Sequence, residues 1–222
     1  MDLLFPHLAP IWHSTPIVGT YAEPKFEFSG IPLNFSHAKH FIARATEPVL
    51  AGEITHTGEP LVHIFDSHDM FEEWAATTRF AKHFEHIQRV IERVRFQAHL
   101  MHKTVPPRRT GRIQVASNVS MDFDWVAGTS IRPIQKDSRV RLYSEESFAG
   151  EQTVIGSSAL ENLGDVDFFR RTRSISLHGV CLLTDDVYFG GFRFYVIGDP
   201  FVSIANLHQW HFDRAAASAI IV

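Results

Sequence analysis

Apolar and polar residues alternate in short runs near the start of the chain. Lys25, Phe26, Glu27 and Phe28 alternate in this way, and residues 61–65 form a short apolar run, so both segments predict β-strands. Prolines and glycines recur throughout residues 1–60, which favours extended segments separated by turns. We therefore expect the first part of the chain to contain several short strands.

The pattern changes to a helical period from about residue 67 to residue 101, where the chain has neither glycine nor proline. Ser67 or Asp69 can cap a helix there, because either side chain can accept from the free N–H groups of the first turn. The pattern predicts a long amphipathic helix, or two helices with a break near Thr77 and Thr78. We expect its apolar stripe to pack within the N-terminal region. The stripe consists of Phe71, Trp74, Phe80, Phe84, Ile87, Ile91 and Val94.

Pro106 and Pro107 cannot continue that helix, so the residues around them are expected to form a linker. Short alternating runs return after the linker. The sequence thus predicts an α+β fold in three parts: an N-terminal α+β region over 1–110 with its helix at about 67–101, a β-rich connector over 111–137, and an all-β domain over 138–222.

The last third of the chain contains an internal repeat. Residues 140–146 align with residues 180–186, an offset of 40 residues, and each copy continues with an acidic turn, an aromatic residue and a glycine. Glycine suits a turn with positive φ, and a later serine can tie that turn back to the sheet. Two units of four strands, at about 138–178 and 179–222, predict a β-sandwich. The residues that carry the pattern are Tyr143, Phe148, Gly150 and Ser174 in the first copy, and Gly190, Gly191 and Ser218 in the second.

The spacing from Tyr143 to Phe148 and Gly150, with the later serine, resembles the Greek-key signature of the βγ-crystallin family. Two such motifs in tandem make one βγ-crystallin domain. The second copy departs from the signature, since Leu183 stands where the tyrosine is expected, followed by Tyr188 at the matching distance. The resemblance implies that Gly150 and one of the two later glycines are turn glycines, and that the two serines are structural.

Many microbial members of that family bind calcium through a short acidic stretch that ends in a serine. Calcium prefers six to eight oxygen ligands. The corresponding stretch in the first copy, 169–174, contains three arginines, and the second, 212–218, keeps Asp213 but is filled with alanines. Glu145 and Asp185 lie at the acidic turns. We expect both calcium sites to be degenerate and Asp213 to be a turn residue or the partner of an arginine, so no cofactor is predicted.

Composition excludes several classes of protein. The net charge is −4 with histidine neutral, whereas a nucleic-acid binder is expected to be basic. No apolar run approaches the length of a membrane span, and the first residues lack the features of a signal peptide. The single cysteine, Cys181, excludes an intramolecular disulfide. We expect a protein of the cytoplasm or of a packaged assembly.

Fourteen histidines are the other unusual feature, and four pairs have the spacing His-x-x-His. Two residues three apart on a helix lie on one face and could bind a transition metal, but no third ligand is indicated by spacing. Histidines with ordinary hydrogen bonds are therefore expected, and no metal site is predicted. The pairs are His37 and His40, His83 and His86, His99 and His102, and His208 and His211.

The sequence contains no nucleotide-binding or hydrolase motif, and no catalytic residue is predicted. We expect a non-enzymatic structural or interaction protein that binds a protein partner or associates with itself in an oligomer or larger assembly. One alternative is a ligand-binding module of the protease-inhibitor type. A second alternative is a metal-dependent enzyme that uses the helix histidines.

Overall fold

The computed structural model of this chain describes residues 22–45, 47–55, 57–101 and 138–222. Three α-helices and ten β-strands lie within these ranges, which confirms the α+β class. The helices are α1 (Phe35–Arg44), α2 (His68–Thr77) and α3 (Ala81–Leu100). The strands are β1 (Lys25–Phe28), β2 (Ile31–Leu33), β3 (Val49–Ile54), β4 (Pro60–Phe65), β5 (Arg139–Tyr143), β6 (Gln152–Gly156), β7 (Ala159–Leu160), β8 (Ser174–Thr184), β9 (Arg193–Ile204) and β10 (Ser218–Ile221).

Two helices occupy the range in which the sequence predicted a long helix. The hydroxyl of Ser67 accepts from the backbone N–H of Met70, which caps α2 at its start. At its end, the hydroxyl of Thr78 donates to the carbonyl of Ala75 and accepts from the N–H of Phe80. A threonine that bonds to the backbone competes with the helical hydrogen bonds. This competition accounts for the break at Thr78, one of the two arrangements that the pattern allowed.

The C-terminal part is a sandwich of two sheets that share the long strands β8 and β9. The first half of β8, residues 174–178, pairs with β5 and with the end of β9. The second half, residues 180–184, pairs with the start of β9 and with β10. The register shifts between Leu177 and Gly179, and Gly179 has a positive φ of 104°. The two halves of β8 therefore belong to different sheets. Apolar side chains from both sheets meet in one core, which includes Leu142, Ile175 and Cys181.

The N-terminal strands extend one of these two sheets. Strand β3 pairs in parallel with β9, from Val49 opposite Arg193 to Glu53 opposite Ile197. The resulting strand order is β2-β1-β4-β3-β9-β8-β10-β7. The N-terminal region and the repeat thus share a continuous sheet. The predicted connector over 111–137 lies outside the described residues.

Helices α2 and α3 cover the outer face of this extended sheet. The ring of Tyr195 on β9 stacks on Phe71 of α2 at a centroid distance of 4.3 Å and meets Phe84 of α3 edge-on at 5.5 Å. The apolar stripe was expected to pack within the N-terminal region, but it also covers strands of the repeat, because the shared sheet offers one continuous apolar face. A strand that is buried on both faces carries an uninterrupted apolar run, as residues 180–183 do.

No helix among the described residues is long and apolar enough to cross a membrane.

Candidate functional site

The two copies of the repeat fold into matching corners. In the first corner Ser147 and Phe148 have positive φ, and Gly150 follows with a φ of 74°. In the second corner Tyr188 and Phe189 have positive φ, and Gly191 follows with a φ of 69°. Gly190 has a φ of −86°, so Gly191 is the glycine in the left-handed region.

A buried serine lies behind each corner. The hydroxyl of Ser174 donates to the carbonyl of Glu145 at 2.6 Å and accepts from the N–H of Phe148 at 3.0 Å. The hydroxyl of Ser218 donates to the carbonyl of Asp186 at 2.9 Å and accepts from the N–H of Phe189 at 3.1 Å. Ser218 also contacts the hydroxyl of Thr184. Both serines thus connect a corner to a strand of the sheet.

The hydrogen bonds align the two corners 41 residues apart, not 40. The N–H of Ser144 donates to the backbone carbonyl of Glu151 in the first copy, and the N–H of Asp185 donates to the backbone carbonyl of Phe192 in the second. Thr184 therefore occupies the position of Tyr143. The offset of 40 paired Leu183 with that tyrosine, which fails because a shift of one residue turns each side chain to the other face of its strand. The ring of Tyr143 meets the ring of Phe148 edge-on at 5.5 Å.

A second pair of matching turns lies 44 residues apart and was missed in the sequence. The side-chain oxygen of Asn162 accepts from the N–H of Gly164, and that of Asn206 accepts from the N–H of His208. The signal was present as a shared pattern, Asn-Leu-x4-Phe-x-Arg-x3-Ser, over 162–174 and 206–218. An insertion between the corner and the serine shifts the offset and hides this pattern from a search at one fixed offset.

Arginine side chains occupy the acidic corners. The guanidinium of Arg173 lies between the two carboxylates of Glu146 and Asp213, and its Nε donates to Asp213 at 3.3 Å. The guanidinium of Arg170 donates to the backbone carbonyl of Asp185 at 3.0 Å. Asp213 is therefore the partner of an arginine, as one of the two expectations for it stated. Asp213 and the backbone carbonyl of Asp185 thus each contact the guanidinium of an arginine.

The histidine pairs lie on separate surfaces. His37 and His40 are exposed on α1, and His83 and His86 are half-buried on α3. His99 is exposed on α3, and its partner His102 lies outside the described residues. Within the described ranges no group of three or more histidine, cysteine or carboxylate side chains is arranged to hold a metal ion.

His211 packs against the ring of Phe35 at a centroid distance of 4.2 Å, and His208 is the exposed member of that pair. Burial lowers the pKa of His211 to about 4, and the nearby His208 and Lys39 act in the same direction, although a backbone hydrogen bond with Phe35 opposes them. Burial, Arg89 and His83 lower the pKa of His86. These two histidines are therefore neutral at pH 7.

Three side chains on the outer face of the N-terminal strands form a second cluster that sequence patterns did not indicate. Nδ1 of His63 on β4 lies 2.6 Å from a carboxylate oxygen of Glu27 on β1, and its Nε2 lies 3.1 Å from a carboxylate oxygen of Glu53 on β3. His63 is 9% exposed. The two carboxylates approach opposite edges of the ring, so the three side chains do not converge on one metal position. We call this cluster the His63 clasp.

Cys181 is fully buried in the sandwich core. Burial raises the pKa of its thiol, so the thiol stays protonated and unreactive. Its position suits a structural role.

Solved structures of βγ-crystallin domains resemble part of this chain. A βγ-crystallin from Ciona intestinalis is 20% identical, with 37% of this chain and 96% of that chain covered and a TM-score of 0.34. A βγ-crystallin from an archaeon is 17% identical, with 39% and 99% covered and a TM-score of 0.35. Spherulin 3a from Physarum polycephalum is 17% identical, with 43% and 90% covered and a TM-score of 0.33.

The likeness concerns the fold of that part of the chain alone. No protein-family model and no curated protein matches the sequence.

Proposed function

We propose that this chain is a non-enzymatic structural or interaction protein of the cytoplasm or of a packaged assembly, in which a βγ-crystallin-like module over 138–222 works without calcium. The single observation that carries the proposal is Arg173, whose guanidinium is paired with Glu146 and Asp213. The two carboxylates come from different copies of the repeat. The guanidinium of Arg173 thus joins the two motifs, so no calcium ion is needed to hold them together.

The extended sheet supports a structural role for the module. Strand β3 pairs with β9 along five residue positions, and α2 and α3 cover the outer face of the strands of the repeat. The module is therefore built into a larger unit through its backbone. This arrangement suits a scaffold.

An interaction role is supported by apolar side chains at the surface. Phe96 is 63% exposed and Leu100 is 61% exposed, and they lie one turn apart on α3. Clustered exposed apolar side chains mark surfaces that bind other proteins. The proposed partner is another protein or a second copy of this chain. Sedimentation velocity over a range of concentrations tests self-association, and a monomer throughout would leave a different protein as the partner.

Thermal unfolding of the full chain in chelator, in calcium and in zinc tests the calcium-free role. We expect the same unfolding midpoint in all three, because a ligand that binds the native state at about 100 times its Kd would add about 2.7 kcal/mol. A calcium-dependent rise in the wild type would contradict the proposal. Zinc alone raising the midpoint would favour a histidine site.

Arg173→Ala sharpens this test, with Arg171→Ala as the matched control, since Arg171 pairs with Glu151 at the exposed surface. Removing Arg173 leaves Glu146 and Asp213 without their shared cation. We expect Arg173→Ala to lower the midpoint more than the control does, and calcium to restore part of the loss in Arg173→Ala alone. An equal loss in both variants would show that Arg173 is an ordinary surface cation.

A further inference from the structure

The His63 clasp joins three neighbouring strands on the helix-covered face of the sheet. Glu27 lies directly opposite His63 in the parallel register of β1 and β4, and Glu53 reaches the ring diagonally from β3. Strand β1 lies next to the edge strand β2 in the strand order, and the hairpin of β1 and β2 leads directly into α1. The contact between Glu27 and His63 is thus a side-chain tie between the segment 25–44 and the interior of the sheet.

The geometry favours a protonated ring. An ionised carboxylate can only accept hydrogen bonds, and a neutral imidazole carries one N–H. Both ring nitrogens of His63 lie within hydrogen-bond distance of a carboxylate oxygen. The two contacts are satisfied together when the ring is an imidazolium, which donates from both nitrogens.

The surroundings favour that charged ring. The ring centroids of His63 and of Trp74 on α2 lie 4.8 Å apart, and an indole ring interacts favourably with a cation. The charged groups that face the ring from the described elements are Glu27 and Glu53, while Lys25 on β1 is paired with Glu59. Burial by itself would lower the pKa of His63, but its hydrogen bonds and charge interactions with the two glutamates outweigh burial and raise that pKa.

We propose that the His63 clasp is a proton-dependent lock, which holds the segment 25–44 on the sheet while the ring is protonated and loosens that segment when the ring loses its proton. A neutral ring donates to one glutamate alone and leaves the other carboxylate facing an acceptor nitrogen in a sheltered site. Helix α1 carries exposed His37 and His40 and packs against the turn at His211, so a loosened segment changes the surface that this end of the molecule presents.

The sign of the pH dependence follows from the raised pKa. A histidine whose pKa is higher in the folded protein contributes its full stabilisation below the ordinary value of 6.5 and loses it as the pH rises through the folded value. The lock is therefore closed below pH 6.5 and opens as the pH rises through the raised pKa of His63. For each pH unit by which the pKa of His63 in the folded protein exceeds 6.5, loss of the ring proton should lower the amide protection of residues 25–44 tenfold.

Nitrogen NMR of the full chain tests the protonation state directly. We expect both ring nitrogens of His63 to carry a proton at pH 6 and the ring to titrate with a midpoint above 6.5. A ring that titrates at or below 6.5 would overturn the proposal.

Amide hydrogen exchange tests the consequence, with rates corrected for the intrinsic effect of pH. We expect the protection of residues 25–44 to fall between pH 6 and pH 9 while residues 180–184 keep theirs. Glu27→Gln keeps the size of the side chain and should lower the protection of 25–44 already at pH 6 and flatten its pH dependence.

Glu73→Gln on the exposed side of α2 is the matched control and should behave as the wild type. An unchanged pH dependence in Glu27→Gln would overturn the proposal, as would an equal loss over 180–184, which would indicate general destabilisation. These outcomes are independent of calcium and of Arg173.

Discussion

Single side chains connect the corners of the repeat to the sheet. Ser174 and Ser218 each satisfy one backbone carbonyl and one backbone N–H at a turn with positive φ. Both serines are fully buried, so water does not replace these bonds when the hydroxyl is removed. Serine suits this position of the motif because its hydroxyl can donate to the backbone carbonyl and accept from the backbone N–H of the turn.

Replacing Ser174 or Ser218 with alanine should lower the free energy of unfolding by about 1–3 kcal/mol, the cost of leaving a buried polar group unsatisfied. Urea unfolding measures the change. Ser158→Ala is the control, because that hydroxyl is exposed and donates only to the nearby carbonyl of Gly156. A loss in the control as large as in the two corner variants would contradict the assigned role.

At the scale of the elements, the turns decide where strands begin and end. Gly191 lies in the left-handed region, and a Cβ there would overlap the carboxylate of Asp185. That carboxylate accepts from the N–H of Phe192, the residue directly before β9. The glycine therefore allows the corner and the strand to approach closely.

Gly191→Ala should lower the free energy of unfolding by more than about 1 kcal/mol, because a side chain in the left-handed region costs that much before any displacement of Asp185. Gly156→Ala on β6 is the matched control, since a Cβ there meets nothing within 4 Å. Thermal unfolding compares the two variants. Equal midpoints would show that the second corner relaxes without cost.

At the scale of the whole molecule, the helix layer and the repeat share one core. Ile91 of α3 is fully buried in the cluster that also contains Leu182 of β8 and Ile220 of β10. The pairing of β3 with β9 joins the same two parts through backbone hydrogen bonds. We expect the helix layer and the repeat to unfold together.

Ile91→Ala should cost about 2–5 kcal/mol, the usual effect of removing a buried aliphatic side chain. Because the core is shared, hydrogen exchange should speed up by the same factor in α3 and in residues 180–184 of β8. Glu92→Ala, exposed on the same helix, should leave both unchanged. If α3 lost protection while β8 kept it, the two parts would open separately.

The sequence by itself determined the local features of this protein: the corner glycines, the corner serines and the helical stripe. Each of these depends on the φ angle or the hydrogen bonds of a few consecutive residues, so residue type and spacing record it. The tertiary structure alone decided that β3 joins β9, that Arg173 meets Asp213, and that Glu27 and Glu53 surround His63. Strand neighbours are chosen by burial across the whole molecule, and no short pattern in the chain records which distant strand completes the sheet.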